Sequence, residues 1–309
     1  MQFAGMKRSI IFLLNPIAGT GNKSRIRKLI EKKLTGRGID FEIYPTNAEG
    51  DYDAIRAKIL QDDVTDIVVA GGDGTISSVV YNLRDTGVNF GLIPCGSGNG
   101  LAFCAGISKN PQKAIDLIFT GTPVYTDAFT INNNFSCMLS GLGFDAQVAH
   151  DFAKQNRRGL ITYIKQTYTN FIKAKPYRFE INANGNSIFT EAFFVSIANS
   201  NQFGNQFTIA PKADLNDGLL DIVIVQKMNK PHMLLAVLQQ IWRGEVKEIR
   251  YKKKGVIYYQ TKNLYIKNPD LAPLHIDGDP KPTAPGFAIS VIPNAFRLIR
   301  PLRGRNEKS

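Results

Sequence analysis

Hydrophobic and polar positions over the first hundred residues switch between two periods. "SIIFLL" (9–14) is a continuous apolar run, the pattern of a strand covered on both faces. "NKSRIRKLIEKKL" follows, with Ile26, Leu29, Ile30 and Leu34 on one helical face and lysine and arginine on the other. "TGRG" stops it. "DFEIY" (40–44) predicts a second strand and "DYDAIRAKIL" (51–60) a second helix. "DIVVA" (66–70), "TISSVVYNLR" (75–84) and "FGLIP" (90–94) continue as strand, helix and strand. This βαβαβαβ order predicts a parallel, doubly wound sheet with right-handed crossovers.

After about residue 123 the period falls to two. "VYTDAFTI" and "FSCMLSGLGF" flank an asparagine turn, and "YRFEIN" and "SIFTEAFFVSIANS" flank a turn containing glycine. "LLDIVIV", "GVIYYQ", "NLYIK" and "GFAISVIP" keep the strand pattern, with helical stretches near 146–173 and 231–242. The expected fold class is α/β: a doubly wound parallel-sheet domain over 6–123, then a mostly antiparallel β-sandwich or open barrel over 124–294. "AFRLIR" (295–300) is free to return to either.

Bulk numbers change the picture little. The chain has 309 residues and 43% hydrophobic content, enough for two domains with cores. No repeat or low-complexity block is present. The net charge of +12 points to a polyanionic partner (nucleic acid, an anionic membrane or a phosphorylated substrate) or merely to a basic solvated surface. Cys95, Cys104 and Cys137 form no CxxC pair, and His150, His232 and His275 match no zinc spacing. "SIIFLL" is too short for a signal core, and no apolar run reaches the ~18–20 residues of a membrane span. A cytoplasmic protein, soluble or peripheral, is the expectation.

The candidate chemistry lies in three glycine loops, each at the carboxyl end of a predicted strand: "NPIAGTG" (15–21), "GGDGT" (71–75) and "PCGSGNG" (94–100). In an open parallel sheet those ends form the ligand crevice, and glycine lets a main chain approach phosphate closely. Neither standard nucleotide fingerprint is met. No glycine stands immediately before Lys23, and Leu101 occupies the last glycine position of G-x-G-x-x-G. "GGDGT" offers open backbone at Gly71, Gly72 and Gly74 and a hydroxyl at Thr75 near a helix start. Asp73 would repel an anion unless a cation intervenes or it takes a proton from an attacking hydroxyl. The blander reading is a tight turn with an Asx cap; three loops on one edge weigh against it.

"NPIAG", "GGDGT", "PCGSGNGLA" and the late "HIDGD" (275–279), in this order, resemble the diacylglycerol kinase catalytic-domain family, which includes bacterial lipid kinases, sphingosine kinases and ceramide kinases. The resemblance spans nearly the whole chain. It implies a nucleotide domain followed by a β-rich lipid-substrate domain, and an ATP-dependent lipid kinase. It implies an ATP site lined by Asn15, Pro16, Gly19, Thr46, Gly71, Gly72, Gly74, Thr75, Gly96, Ser97 and Asn99, with Asp279 where the family usually has glutamate. Asp277 falls at the proposed general base, with Asp73 as the second catalytic aspartate. "DLNDGLL" (214–220) resembles a loop that holds Mg²⁺ through Asp217, Asp214 and the Leu219 carbonyl; read alone, Asn-Asp-Gly is a common β-turn.

One departure stands out. Many bacterial members carry an aspartate in the fourth-strand loop, where this chain reads Gly96-Ser97-Gly98-Asn99-Gly100, closer to sphingosine and ceramide kinases. The expected partner is therefore a diacylglycerol or sphingoid-like lipid at an anionic membrane surface. No nucleic acid is expected, and a homodimer is left open. Arg157-Arg158, Arg250 with Lys252 to Lys254, and Arg297, Arg300, Arg303 and Arg305 are candidate basic anchors. Phe193, Phe194, Phe203 and Phe207 are candidate walls of a lipid cavity or ordinary core. An NAD kinase-like enzyme with a soluble acceptor and a non-catalytic nucleotide or lipid sensor are the rival readings.

Overall fold

The computed structural model describes residues 8–16, 23–36, 38–155, 166–167, 169–171, 173–201, 209–229 and 255–302. The chain divides into two compact units, Met1–Thr126 with Ala295–Ser309, and Asp127–Asn294.

In the first unit β1 (Ser9–Leu14), β2 (Asp40–Pro45), β3 (Asp66–Gly71) and β4 (Asn89–Pro94) alternate with α1 (Lys23–Leu34), α2 (Asp53–Gln61) and α3 (Asp73–Leu83). The strands pair in parallel in the order β2-β1-β3-β4. Their apolar runs are buried, as a sheet with covered faces requires: Phe12, Val68 and Phe90 are fully enclosed. The chain moves outward from β1 to β2 in one direction and from β1 to β3 in the other, so the topological switch point lies between β1 and β3. Register levels the carboxyl ends, with Leu14 opposite both Pro45 and Ala70, and Gly71 opposite Pro94.

The sequence reading starts the third helix at Thr75; it begins at Asp73, with Gly72 as its extended N-cap. A carboxylate in the first turn is favoured by the helix dipole. Two further helices, α4 (Gly100–Cys104) and α5 (Pro111–Thr120), were not predicted. α5 carries readable signals: Asn110 caps it by accepting from the Gln112 N–H, and Pro111 stands in its first turn.

The chain leaves the first unit along β5 (Thr122–Ile131). The second unit adds β6 (Asn134–Ser136), β7 (Leu139–Gly143), α6 (Phe144–Ala153), β8 (Tyr177–Ala183), β9 (Asn186–Ala198), β10 (Leu220–Gln226), β11 (Val256–Thr261), β12 (Asn263–Lys267), β13 (Leu274–Ile276) and β14 (Asp279–Lys281). Pairing among these is antiparallel. β9 pairs β8 along its first half and lies between β7 and β10 along its second. Phe129, Ile181, Val195, Ile222, Leu264 and Phe287 meet in one buried apolar cluster. Two turns fall where asparagine signalled them: Asn132-Asn133 and Asn184-Gly185 take successive positive φ values, as two-residue hairpins demand.

One expectation is corrected. "GFAISVIP" and "AFRLIR" are one strand, β15 (Gly286–Arg300), interrupted locally at Asn294, where φ is 53°. Its start pairs β12, and Arg297 and Leu298 pair Asn89 and Phe90 of β4 in parallel. The helical stretch expected near 146–173 is α6 over Phe144–Ala153, with Lys154 as its C-cap, and residues 166–167, 169–171 and 173 are helical as well. The predicted helix over 231–242 lies outside the described residues.

Candidate active site

All three glycine loops leave the same edge of the first sheet, beside the β1/β3 switch point. They are stitched to one another. The Asn15 N–H donates to the Ala70 carbonyl at 2.9 Å, and Asn15 Nδ2 donates to Thr75 Oγ1 at 2.6 Å. The Thr46 N–H reaches the Leu14 carbonyl at 3.0 Å. The Cys95 N–H reaches the Gly71 carbonyl at 2.9 Å. Asn99 holds the fourth-strand loop shut: Oδ1 accepts from the Gly96 N–H and Nδ2 donates to the Gly96 carbonyl, both at 2.7 Å. It does so from a buried left-handed conformation, φ 58°, which asparagine tolerates.

Two glycines have a reason the sequence reading missed. A Cβ on Gly96 would stand 2.6 Å from the Gly72 Cα, and one on Gly72 would stand 3.1 Å from the Gly96 Cα. Backbone packs on backbone here, so these glycines admit each other as well as any phosphate. Asp73 is equally explained. Its carboxylate accepts from the Gly100 N–H at 3.1 Å and the Leu101 N–H at 3.3 Å, at the start of α4. The carboxylate absent from the fourth-strand loop is supplied from the third. Pro16 and Ser97 are exposed, and Gly74 is half-buried in the first turn of α3. Gly19 lies outside the described residues.

Asp277 belongs to the other unit. Asp277 and Gly278 are the two central residues of the β13–β14 hairpin, at φ 50° and 85°, and Ile276 pairs Asp279 across it. Asp-Gly is the strongest short hairpin signal, yet the sequence reading treated this segment only as a catalytic motif. The Asp277 side chain is 5% exposed. Oδ1 accepts from Ser136 Oγ at 2.7 Å, the Leu139 N–H at 3.0 Å and the Met138 N–H at 3.1 Å, while Oδ2 accepts from the Cys137 N–H at 3.2 Å. Asp279 is exposed at the start of β14.

In the 214–219 loop, Asp217 Oδ1 accepts from the Leu219 N–H at 2.9 Å, the Asx turn expected of Asn-Asp-Gly. Asp127 Oδ2 accepts from the Gly218 N–H at 2.7 Å. Desolvation first, then Asp214 and Asp127 nearby, push the Asp217 carboxyl up. Burial drives neighbouring Asp221 up to about 7, and Tyr258 donates to it. Carboxylates and a carbonyl are hard oxygen donors, the chemistry that suits Mg²⁺, and mutual repulsion among them is what a cation relieves. Among the described residues no group of three or more metal-binding side chains is arranged around a common point.

Among the candidate anchors, Arg300 is buried within β15 and Arg297 donates to the Gly87 carbonyl, so neither is part of a loose tail. Arg157, Arg158, Arg250, Lys252 to Lys254, Arg303 and Arg305 lie outside the described residues, as do Phe203 and Phe207. Phe193 is buried, and Phe194, half-buried, stands against the ring of Phe144, itself half-buried. Among the described residues no helix is long and apolar enough to cross a membrane.

A doubly wound sheet with glycine loops at its switch point, followed by an antiparallel β unit carrying a held aspartate, is the frame of a class of phosphotransferases. The chain belongs to the diacylglycerol kinase family of lipid kinases: residues 9–131 match the diacylglycerol kinase catalytic domain, and residues 139–300 match the YegS C-terminal NAD kinase beta sandwich-like domain. It is similar to the diacylglycerol kinase of Mycobacterium tuberculosis, 28% identical over 303 residues that cover 94% of this chain and 95% of that one. It is 26% identical to a YegS-like lipid kinase of Shewanella frigidimarina over 94% of both chains. A diacylglycerol kinase crystal structure from Bacillus anthracis shares the fold, with a TM-score of 0.73 at 18% identity, covering 95% of this chain and 97% of that one.

Proposed function

We propose that this lipid kinase transfers the γ-phosphate of ATP to the free hydroxyl of a membrane lipid, with diacylglycerol as the acceptor. The observation that carries the reading is that the loops after β1, β3 and β4 leave one edge beside the β1/β3 switch point, tied together through Asn15–Thr75 and Asp73–Gly100, with the start of α3 on that edge. Relatives named diacylglycerol kinase over nearly their whole length support the acceptor.

Phosphoryl transfer asks little covalent chemistry of a protein; it asks positioning and charge neutralisation. Asn15, Thr75 and the Gly71–Gly74 and Gly96–Asn99 backbones are proposed to hold the phosphates. Magnesium, when bound, supplies neutralisation of the charge on the transferred group, and Asp214, Asp217 and the Leu219 carbonyl are the residues proposed to hold it. Asp277 is proposed to draw the proton from the lipid alcohol through Oδ2, the oxygen with the longest of the four bonds.

The test is a labelled-ATP assay against diacylglycerol, monoacylglycerol, phosphatidylglycerol, sphingoid base, ceramide, undecaprenol and NAD. Phosphorylation of diacylglycerol above the rest is expected; turnover of NAD alone would replace this reading with the NAD kinase-like one. Asp277→Asn keeps the shape and should cut turnover by roughly 10²–10⁴-fold with ATP affinity nearly unchanged. Asp73→Asn places an amide against two N–H donors and should weaken nucleotide binding as well as turnover. The reverse pattern in Mg·ATP affinity and single-turnover rate would reverse the two assignments.

A further inference from the structure

Beneath the Asp277 hairpin lies a buried pair of titratable groups with no part in the chemistry so far. His275, in β13, is 2% exposed, and Asp145, in the first turn of α6, is 9% exposed. His275 Nε2 lies 3.4 Å from Asp145 Oδ2, and His275 Nδ1 accepts from the Gly278 N–H at 3.3 Å. An acceptor at Nδ1 puts the ring proton on Nε2, facing the carboxylate, so one tautomer serves both contacts. Asp145 is itself fixed, because its Oδ1 accepts from the Ala146 N–H at 2.8 Å. The sheet makes room for it. A Cβ on Gly141 of β7 would fall 1.9 Å from Asp145 Oδ2 and 2.7 Å from His275 Nε2, so only a glycine there lets the carboxylate reach the ring. α6 also grips β13 one residue earlier, where His150 Nε2 meets the Leu274 carbonyl at 2.9 Å.

We propose that Asp145 and His275 form a buried relay that fixes the Asp277-Gly278 turn, and that both are positioning residues for phosphoryl transfer. This rests on the reading of Asp277 as the group facing the acceptor. The turn is held from two sides. The Asp277 carboxylate is tied to Ser136–Leu139, and the Gly278 N–H is tied to His275. Removing the second tie leaves two successive left-handed residues free to re-aim the carboxylate. A misplacement on the order of 1 Å costs up to ~10²-fold in rate. The relay's bonds named here lie within the second unit, so its loss should appear in kcat and leave the KM for ATP alone.

The experiment compares His275→Asn with His275→Phe in the full chain. Asparagine puts Oδ1 where Nδ1 stood and keeps the bond from Gly278; phenylalanine keeps the ring's bulk and loses both bonds. His275→Phe should lower kcat by roughly 10- to 100-fold, and His275→Asn should recover most of that. Asp145→Asn, which can still accept from Nε2, should stay near the parent, and Asp145→Ala should fall towards His275→Phe. In the Asp277→Asn background His275→Phe should cost nothing further, because the relay acts only through that carboxylate. Equal kcat for the asparagine and phenylalanine variants, a loss carried by the KM for ATP, or additive losses in the double variant would each overturn the relay. Undiminished turnover in Asp277→Asn alone would instead remove the role given to Asp277. If His275→Phe does not fold, the Asp145 pair carries the same comparison.

Discussion

Gly96 and Gly72 show how a residue chosen for one reason carries another. Their backbones meet where the third- and fourth-strand loops pack, so Gly96→Ala must move backbone, not a side chain. That variant should lose about 1–3 kcal/mol of stability, as overpacking does, together with ATP affinity, read by denaturant titration and calorimetry. Asn99 is the complementary case. Asn99→Gly keeps the left-handed backbone and loses both bonds to Gly96, whereas Asn99→Ala loses them and adds a strained φ. Alanine should therefore be the worse of the two by about 1–2 kcal/mol; equal stability would show that strain at this position is absent. The sequence supplied the glycines and Asp73 as chemistry. It did not supply their partners, because Gly72–Gly96 and Asp73–Gly100 are contacts between loops that no local pattern encodes.

At the scale of elements, the strands and long helices of the first unit were readable because their apolar runs are bounded by glycine, and the antiparallel strands because their turns carry asparagine. α4 escaped because it is five residues long and begins inside a loop read for its glycines. The split of β15 into two arose from Pro293-Asn294, a breaker in sequence that the strand accommodates as a local kink. His275 and Asp145, 130 positions apart, become neighbours only when β13 pairs β7 beneath α6. The β10–β11 pair yields a prediction of its own. Burial pushes Asp221 up to about 7, above an unfolded value near 3.9. A raised carboxyl costs stability progressively as pH climbs from about 4 to about 7, and the cost is constant above that. Asp221→Asn should therefore raise the thermal midpoint at pH 8, with the gain shrinking towards pH 4. A gain independent of pH would mean that Asp221 titrates normally in the folded state.

For the molecule as a whole, the charge of +12 bears on where it works. Each lysine or arginine near an anionic leaflet is worth about 1 kcal/mol, and the attraction fades beyond a screening length of about 10 Å at 0.1 M salt. Binding to vesicles should rise with their content of anionic lipid and fall as salt is added. Equal sedimentation with neutral and anionic vesicles at low salt would remove the electrostatic anchor.

The strand that completes the first sheet has a consequence for how the protein is made. β4 has β3 on one side and the end of β15 on the other, with Phe90 against Phe296. Some two hundred residues, the whole second unit among them, are translated between them. At about 5–20 residues per second, the ribosome leaves the apolar edge of β4 uncovered for roughly 10–40 s. An open hydrophobic edge is a template for wrong pairing, so the hazard to this sheet lies in its synthesis and ends only when the last strand emerges.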